Sequence, residues 1–327
     1  MRGAFASLLL VLLLLAGCGS SNGAQSGAAP SVSHPGLFAV YYTTVDPRNP
    51  QTVYVASNDA LLKTTDGGGS WMHLEPSAYG VSGGIVLDPR RPDTVFVGAG
   101  DGVYKSTDGG RSWRRAGLKG QTLDDLEFAR SGSVLYASVD SCLPSYNPEC
   151  IYYSGPAVFK TTDAGARWVP IGLAAQPGVS LALDPRRPAV VYATTEKERT
   201  SFKSTDGGAS WHRLHGFLAG AGLVVIDPHS PQKFYATTAD GGLFESTDGG
   251  RRWLSLGLTD VRDFAVGPAA VYAATGRGVL MRPDGGRAWR ILGARGKALY
   301  TVAVSGNGRV LYAGADGNTV YRFQLAG

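Results

Sequence analysis

Short apolar runs broken by Gly, Pro and Asp recur from residue 37 to the end of the chain, and none shows the three-to-four-residue spacing of a helix with one buried face. The stretch from Gly84 to Ala116 shows the unit. Gly84-Ile85-Val86-Leu87 runs into Asp88-Pro89-Arg90-Arg91-Pro92-Asp93, which holds two prolines and no apolar periodicity and is therefore a turn. Thr94 to Val97, a Gly-rich turn and Val103 to Ser106 come next, then a tight Asp-Gly turn and Trp113 to Ala116. Four short strands joined by turns predict one four-stranded antiparallel sheet.

The tight turn belongs to a phrase with Asp third, Gly fifth and Trp eighth, found at Thr64–Trp71, Ser106–Trp113, Thr161–Trp168, Ser204–Trp211, Ser246–Trp253 and, weaker, Arg282–Trp289. Its aspartates, Asp66, Asp108, Asp163, Asp206, Asp248 and Asp284, are 42, 55, 43, 42 and 36 residues apart. A period near forty with four strands per unit is the arithmetic of a β-propeller blade. An Asp-Pro turn repeats with it at Asp46, Asp88, Asp184 and Asp227, and becomes Gly267-Pro268 in the sixth unit. A seventh unit has only three strands, Tyr300–Val304, Val310–Ala313 and Thr319–Phe323, so its fourth is expected from the segment before Leu37. The expected architecture is all-β: a single propeller over residues 36–327, with seven blades, six being the alternative count.

The repeated phrase resembles that of the Asp-box (BNR) family, whose propellers occur in sialidases, xyloglucanase-type glycoside hydrolases, sortilin and the photosystem II stability and assembly factor. The resemblance covers residues 37 to 324 and implies the fold; its members do unrelated things, so it implies no single function. Six copies of one feature argue for a structural role. Asp is expected to bond the turn's own N–H groups, and Trp71, Trp113, Trp168, Trp211, Trp253 and Trp289 to fold under their own turns. One carboxylate per turn falls short of a calcium site, and no motif points to a metal or cofactor.

The beginning of the chain reads differently. Arg2, an apolar run from Leu8 to Leu15 and Leu15-Ala16-Gly17-Cys18 resemble the signal and lipobox of bacterial lipoproteins. That implies removal of residues 1–17 and a lipidated Cys18, followed by a Gly/Ser/Ala tether over residues 18–35. The protein is then exported and lipid-anchored at the bacterial cell membrane, facing the periplasm or exterior. Cys142 and Cys150, in an insertion of the third unit with Tyr146, Tyr152 and Tyr153, are expected to form a disulfide that staples a contact loop. The net charge of +5, spread along the repeats, does not favour nucleic acid.

If the repeats are scaffold, recognition lies where units differ. Aligned on their Asp-Pro ends, the first strands place Tyr42, Gly84, Asp125, Ser180, Leu223, Asp263 and Thr301 on the face toward the channel. Asp125, flanked by Asp124 and Glu127, and Asp263, beside Arg262, are the departures. They are candidates for partner binding or, in a glycoside hydrolase like the xyloglucanase- or sialidase-type relatives, for an acid–base pair. The Arg-Ile-Pro-like segment of sialidases is absent from residues 36 to 63. The reading favoured is a non-catalytic scaffold for a protein or glycan partner.

Overall fold

The computed structural model describes residues 30–57, 60–76, 80–129, 133–139, 157–173, 178–195, 199–216, 218 and 220–325. They form seven four-stranded antiparallel sheets, six of them simple meanders in chain order. The chain is a seven-bladed β-propeller, which decides between the two blade counts. The first strands of blades I to VII are Tyr42–Val45, Val81–Asp88, Leu123–Phe128, Val179–Leu183, Ala221–Ile226, Val261–Val266 and Leu299–Val304, and they form the inner wall.

Ser31–Ser33 supplies the outer strand of blade VII, antiparallel to Thr319–Gln324, with Ser31 opposite Arg322 and Ser33 opposite Val320. The ring is thus closed by the segment before Leu37, as the three-strand count of the last unit required. The propeller therefore reaches back into residues assigned above to the tether: the strand register, not the drop in apolar content, sets its boundary.

Alternation along each strand gives a blade two apolar faces, and each is buried against a neighbour. Among the described residues seven apolar clusters result, and each spans a junction. Tyr54, Leu61 and Leu74 of blade I pack with Ile85, Val95 and Val97 of blade II. Tyr312 and Val320 of blade VII pack with Val53, Val55 and Leu62 of blade I across the closure. Stability therefore resides between blades, and a single blade has no core of its own.

The two ends of the barrel differ in what they carry. At one, the turn after the first strand of blades I to VI is bonded to the Asp–Trp turn of the same blade, as in Gly67 N–H to Gln51 C=O at 2.9 Å and Gly109 N–H to Asp93 C=O at 2.8 Å. This end is the turn face. At the other, the first strands begin and the loops between second and third strands gather; this is the mouth face.

Candidate binding face and channel

Each Asp–Trp turn is closed on itself. Asp66 Oδ1 accepts from the Thr64 hydroxyl at 2.7 Å and the Ser70 N–H at 3.0 Å, and Oδ2 accepts from the Ser70 hydroxyl at 2.6 Å. Gly67 and Gly68, at φ of 75° and 102°, take the left-handed positions that side chains avoid. Asp108, Asp163, Asp206 and Asp248 are held by equivalent donors. Those donors keep the carboxyls below the usual range. Asp284, in the weak sixth copy, instead pairs with Lys233.

The tryptophans correct an expectation. They do not serve their own turns alone: Trp168 donates to Ala116 C=O at 2.6 Å, Trp211 to Ile171 C=O at 2.7 Å and Trp289 to Leu256 C=O at 2.8 Å, each on the preceding blade. A second staple runs beside these turns. Lys63, Lys105 and Lys160 donate to the backbone of the next blade's turn, at Gly109, Ala164 and Gly207, over distances of 2.9, 3.1 and 3.1 Å. Each ammonium also lies over a ring of its own blade, Tyr54, Phe96 or Tyr136. In blade V, Glu245 takes this place and accepts from Arg282 at 3.2 Å.

The channel carboxylates are similarly engaged. Asp125 accepts from Leu126 N–H with one oxygen and from Leu181 N–H of blade IV with the other, both at 2.8 Å. Asp263 does the same with Phe264 and with Val302 of blade VII, again at 2.8 Å. Both follow register shifts, between Leu123 and Asp125 and between Val261 and Asp263, and the shift turns the side chain toward the next blade. Burial pushes the carboxyl of Asp125 upward, and that of Asp263 to about 6, against the pull of the N–H donors. Blades III and VI stand three places apart in the ring, and no described contact joins the two aspartates.

Glu127 lies two residues beyond Asp125 on the same strand; burial first, and the charge of Asp125 second, raise it well above the ordinary value. Tyr42 donates to Ser82 C=O. Its hydroxyl is pushed up to about 12 by burial and then by Asp125 and Asp124, which places it in electrostatic reach of blade III. Blade II permits this approach because Gly83 is small: a Cβ there would come within 2.5 Å of Leu123 Cβ. The structure thus gathers Tyr42, Asp124, Asp125 and Glu127 on one side of the channel, with Arg262 and Asp263 on the other.

On the mouth face, Arg262 lies 4.6 Å over the Tyr300 ring, and Tyr300 meets Tyr41 edge-on at 5.1 Å. A hydrogen bond to Asp316 raises the Tyr300 hydroxyl. Beside them Phe38 is 84% exposed, its carbonyl accepting from Asn318 N–H. Of this group sequence reasoning named only Arg262. Phe38 and Tyr41 enter blade I while Tyr300 and Asp316 belong to blade VII, so ring closure brings together residues more than 250 positions apart. Cys18, Cys142, Cys150, Tyr146, Tyr152 and Tyr153 lie outside the described residues. The flanks of the insertion, Val139 and Ala157, are bonded to each other at 2.9 Å on the mouth face.

With that geometry established, comparison with solved structures gives three similar propellers. YCF48 bound to D1 peptide matches with a TM-score of 0.68 at 16% identity, over 91% of this chain and 97% of that one. YCF48 from Cyanidioschyzon merolae matches at 0.65 and 17%, over 91% and 99%. An ancestral GH74 enzyme matches at 0.70 and 17%, over 90% of this chain and 46% of that one. The likeness is one of fold. No family model and no curated protein sequence matches the chain.

Proposed function

We propose that the chain is an exported, lipid-anchored propeller that binds a protein partner on its mouth face and performs no chemistry. The observation that carries this reading is the engagement of Asp125 and Asp263: each gives both oxygens to backbone N–H groups of its own and the next blade. Such carboxylates join blades; they are not poised across a cleft as acid and base. The mouth supplies what protein recognition uses, an exposed Phe38 next to a stacked Arg262–Tyr300–Tyr41 cluster. The peptide carried by a propeller of this fold, YCF48, is consistent with a protein partner here.

The test is photo-crosslinking in host membranes from position 38 and, as control, from Arg186 on the turn face. A recurrent partner captured from position 38, reduced by Arg262→Ala and absent from position 186, is expected; equal capture from both faces refutes the assignment. The GH74 likeness keeps a glycosidase reading testable. Polysaccharide turnover abolished by Asp125→Asn or Asp263→Asn in a protein that remains folded overturns the non-catalytic one.

A further inference from the structure

We infer that the turn face is the side turned to the membrane, where its arginines engage anionic lipid headgroups. This rests on the lipid-anchor reading above, and it begins from the closing strand. Ser31 stands opposite Arg322 as Arg290 stands opposite Met281 in blade VI. Arg290 immediately follows Trp289, so Pro30 occupies the place that the turn tryptophan occupies in the other blades. Its contact agrees: Trp289 reaches back to Leu256 of the preceding blade, and Pro30 lies against Gly293 of the blade preceding its own. The chain before residue 30 therefore enters the propeller where a seventh Asp–Trp turn would stand, on the turn face.

Between Cys18 and Pro30 there are twelve residue steps. Even fully extended, twelve residue steps span no more than about 43 Å. A folded domain of this size is about 50 Å across. An acylated Cys18 thus holds the face at which the chain enters nearest to the bilayer.

The chemistry of that face fits. In the Asp-Pro turns, Asp88, Asp184 and Asp227 are buried and accept the turn's own N–H groups, while Arg48, Arg90 and Arg186 are exposed, Arg48 and Arg186 each also donating to a carbonyl of the next blade's turn, at Arg90 and His229. Arg251 and Arg309 add exposed guanidinium groups from an Asp–Trp turn and from the last blade. The aspartates of the same face offset much of the charge at long range. Asp66, Asp163, Asp206 and Asp284 of this face are exposed as well, but the first three are occupied by the donors of their own turns and Asp284 by Lys233, which leaves the exposed guanidinium groups to meet headgroup phosphates.

The test uses the full-length chain in phosphatidylcholine vesicles with and without phosphatidylglycerol, treated with phenylglyoxal and read by mass spectrometry. Phosphatidylglycerol is expected to slow modification of Arg90, Arg186 and Arg309 about threefold or more, as basic residues near an anionic surface should show. Arg262 and Arg277, on the mouth face, should be unaffected. The variant Arg90→Glu with Arg186→Glu should lose the protection at Arg309. Equal rates in both vesicles, protection of the mouth arginines, or equal protection by inorganic phosphate alone overturns the inference. Intact mass reports acylation separately: turn-face protection on an unacylated chain upholds the face assignment and removes the anchor, whereas an acylated chain without protection overturns the face assignment and leaves the anchor.

Discussion

Replacing Asp263 by Asn tests whether the channel carboxylates act as links between blades. The wild-type carboxyl titrates at about 6 in the folded protein, because burial outweighs the two N–H donors and the Thr301 hydroxyl. In the unfolded chain it titrates near the ordinary value of about 3.9. Between these values the folded state binds more protons than the unfolded one, so the contribution of Asp263 to stability falls as pH rises through the window and is flat above it. From pH 5 to pH 8 the loss is on the order of 1 kcal/mol. Asn cannot titrate, and with one carbonyl oxygen it leaves Phe264 N–H or Val302 N–H without its acceptor, at a cost of about 1–3 kcal/mol at any pH. Urea denaturation followed by tryptophan fluorescence should therefore show a deficit in the variant that is about 1 kcal/mol larger at pH 5 than at pH 8. Asp125 and Glu127 are common to both proteins and cancel. A deficit equal at the two pH values, or no deficit at all, refutes the burial and the two-blade bonding assigned to this carboxyl.

Further outcomes follow from the junctions. Trp211→Phe orphans the Ile171 carbonyl and should cost about 1–2 kcal/mol more in chemical denaturation than Trp71→Phe, since Trp71 Nε1 is buried without a hydrogen-bond partner. Lys160→Met removes the bond to Gly207 and the contact with Tyr136, and should lower the thermal midpoint, with a loss of about 1–2 kcal/mol. Ser33→Pro takes an N–H from the ladder with Val320 and should speed cleavage near the closure in limited proteolysis; an unchanged digestion pattern would count against Ser31–Ser33 as the clasp.

Much of the architecture was legible because it repeats. The spacing of the Asp–Trp phrases, the Asp-Pro turns and the missing strand of the last unit depend on local chemistry that every blade restates. The staples were visible too, as Lys preceding Thr or Ser in Lys63-Thr64, Lys105-Ser106 and Lys160-Thr161, but their purpose was not, because each ammonium binds the backbone of another unit. The same blindness affected Asp125 and Asp263. Alignment placed them on the channel side, but the donors they accept from across the junction, Leu181 N–H and Val302 N–H, are backbone groups that carry no sequence signal. The mouth cluster was hidden for a different reason: only the closed ring makes Tyr41 and Tyr300 neighbours.

The clasp formed by the first described strand also dictates an order of events in biogenesis. A chain made amino end first presents Ser31–Ser33 long before Thr319–Gln324 arrives to receive it. For that interval the strand has to wait as a lone ribbon, and blade I stands with one flank bare. Three residues, two of them serine, are too few to seed pairing with other nascent chains. Brevity of the clasp thus guards the half-made protein, and the last blade to appear is the one that locks the first.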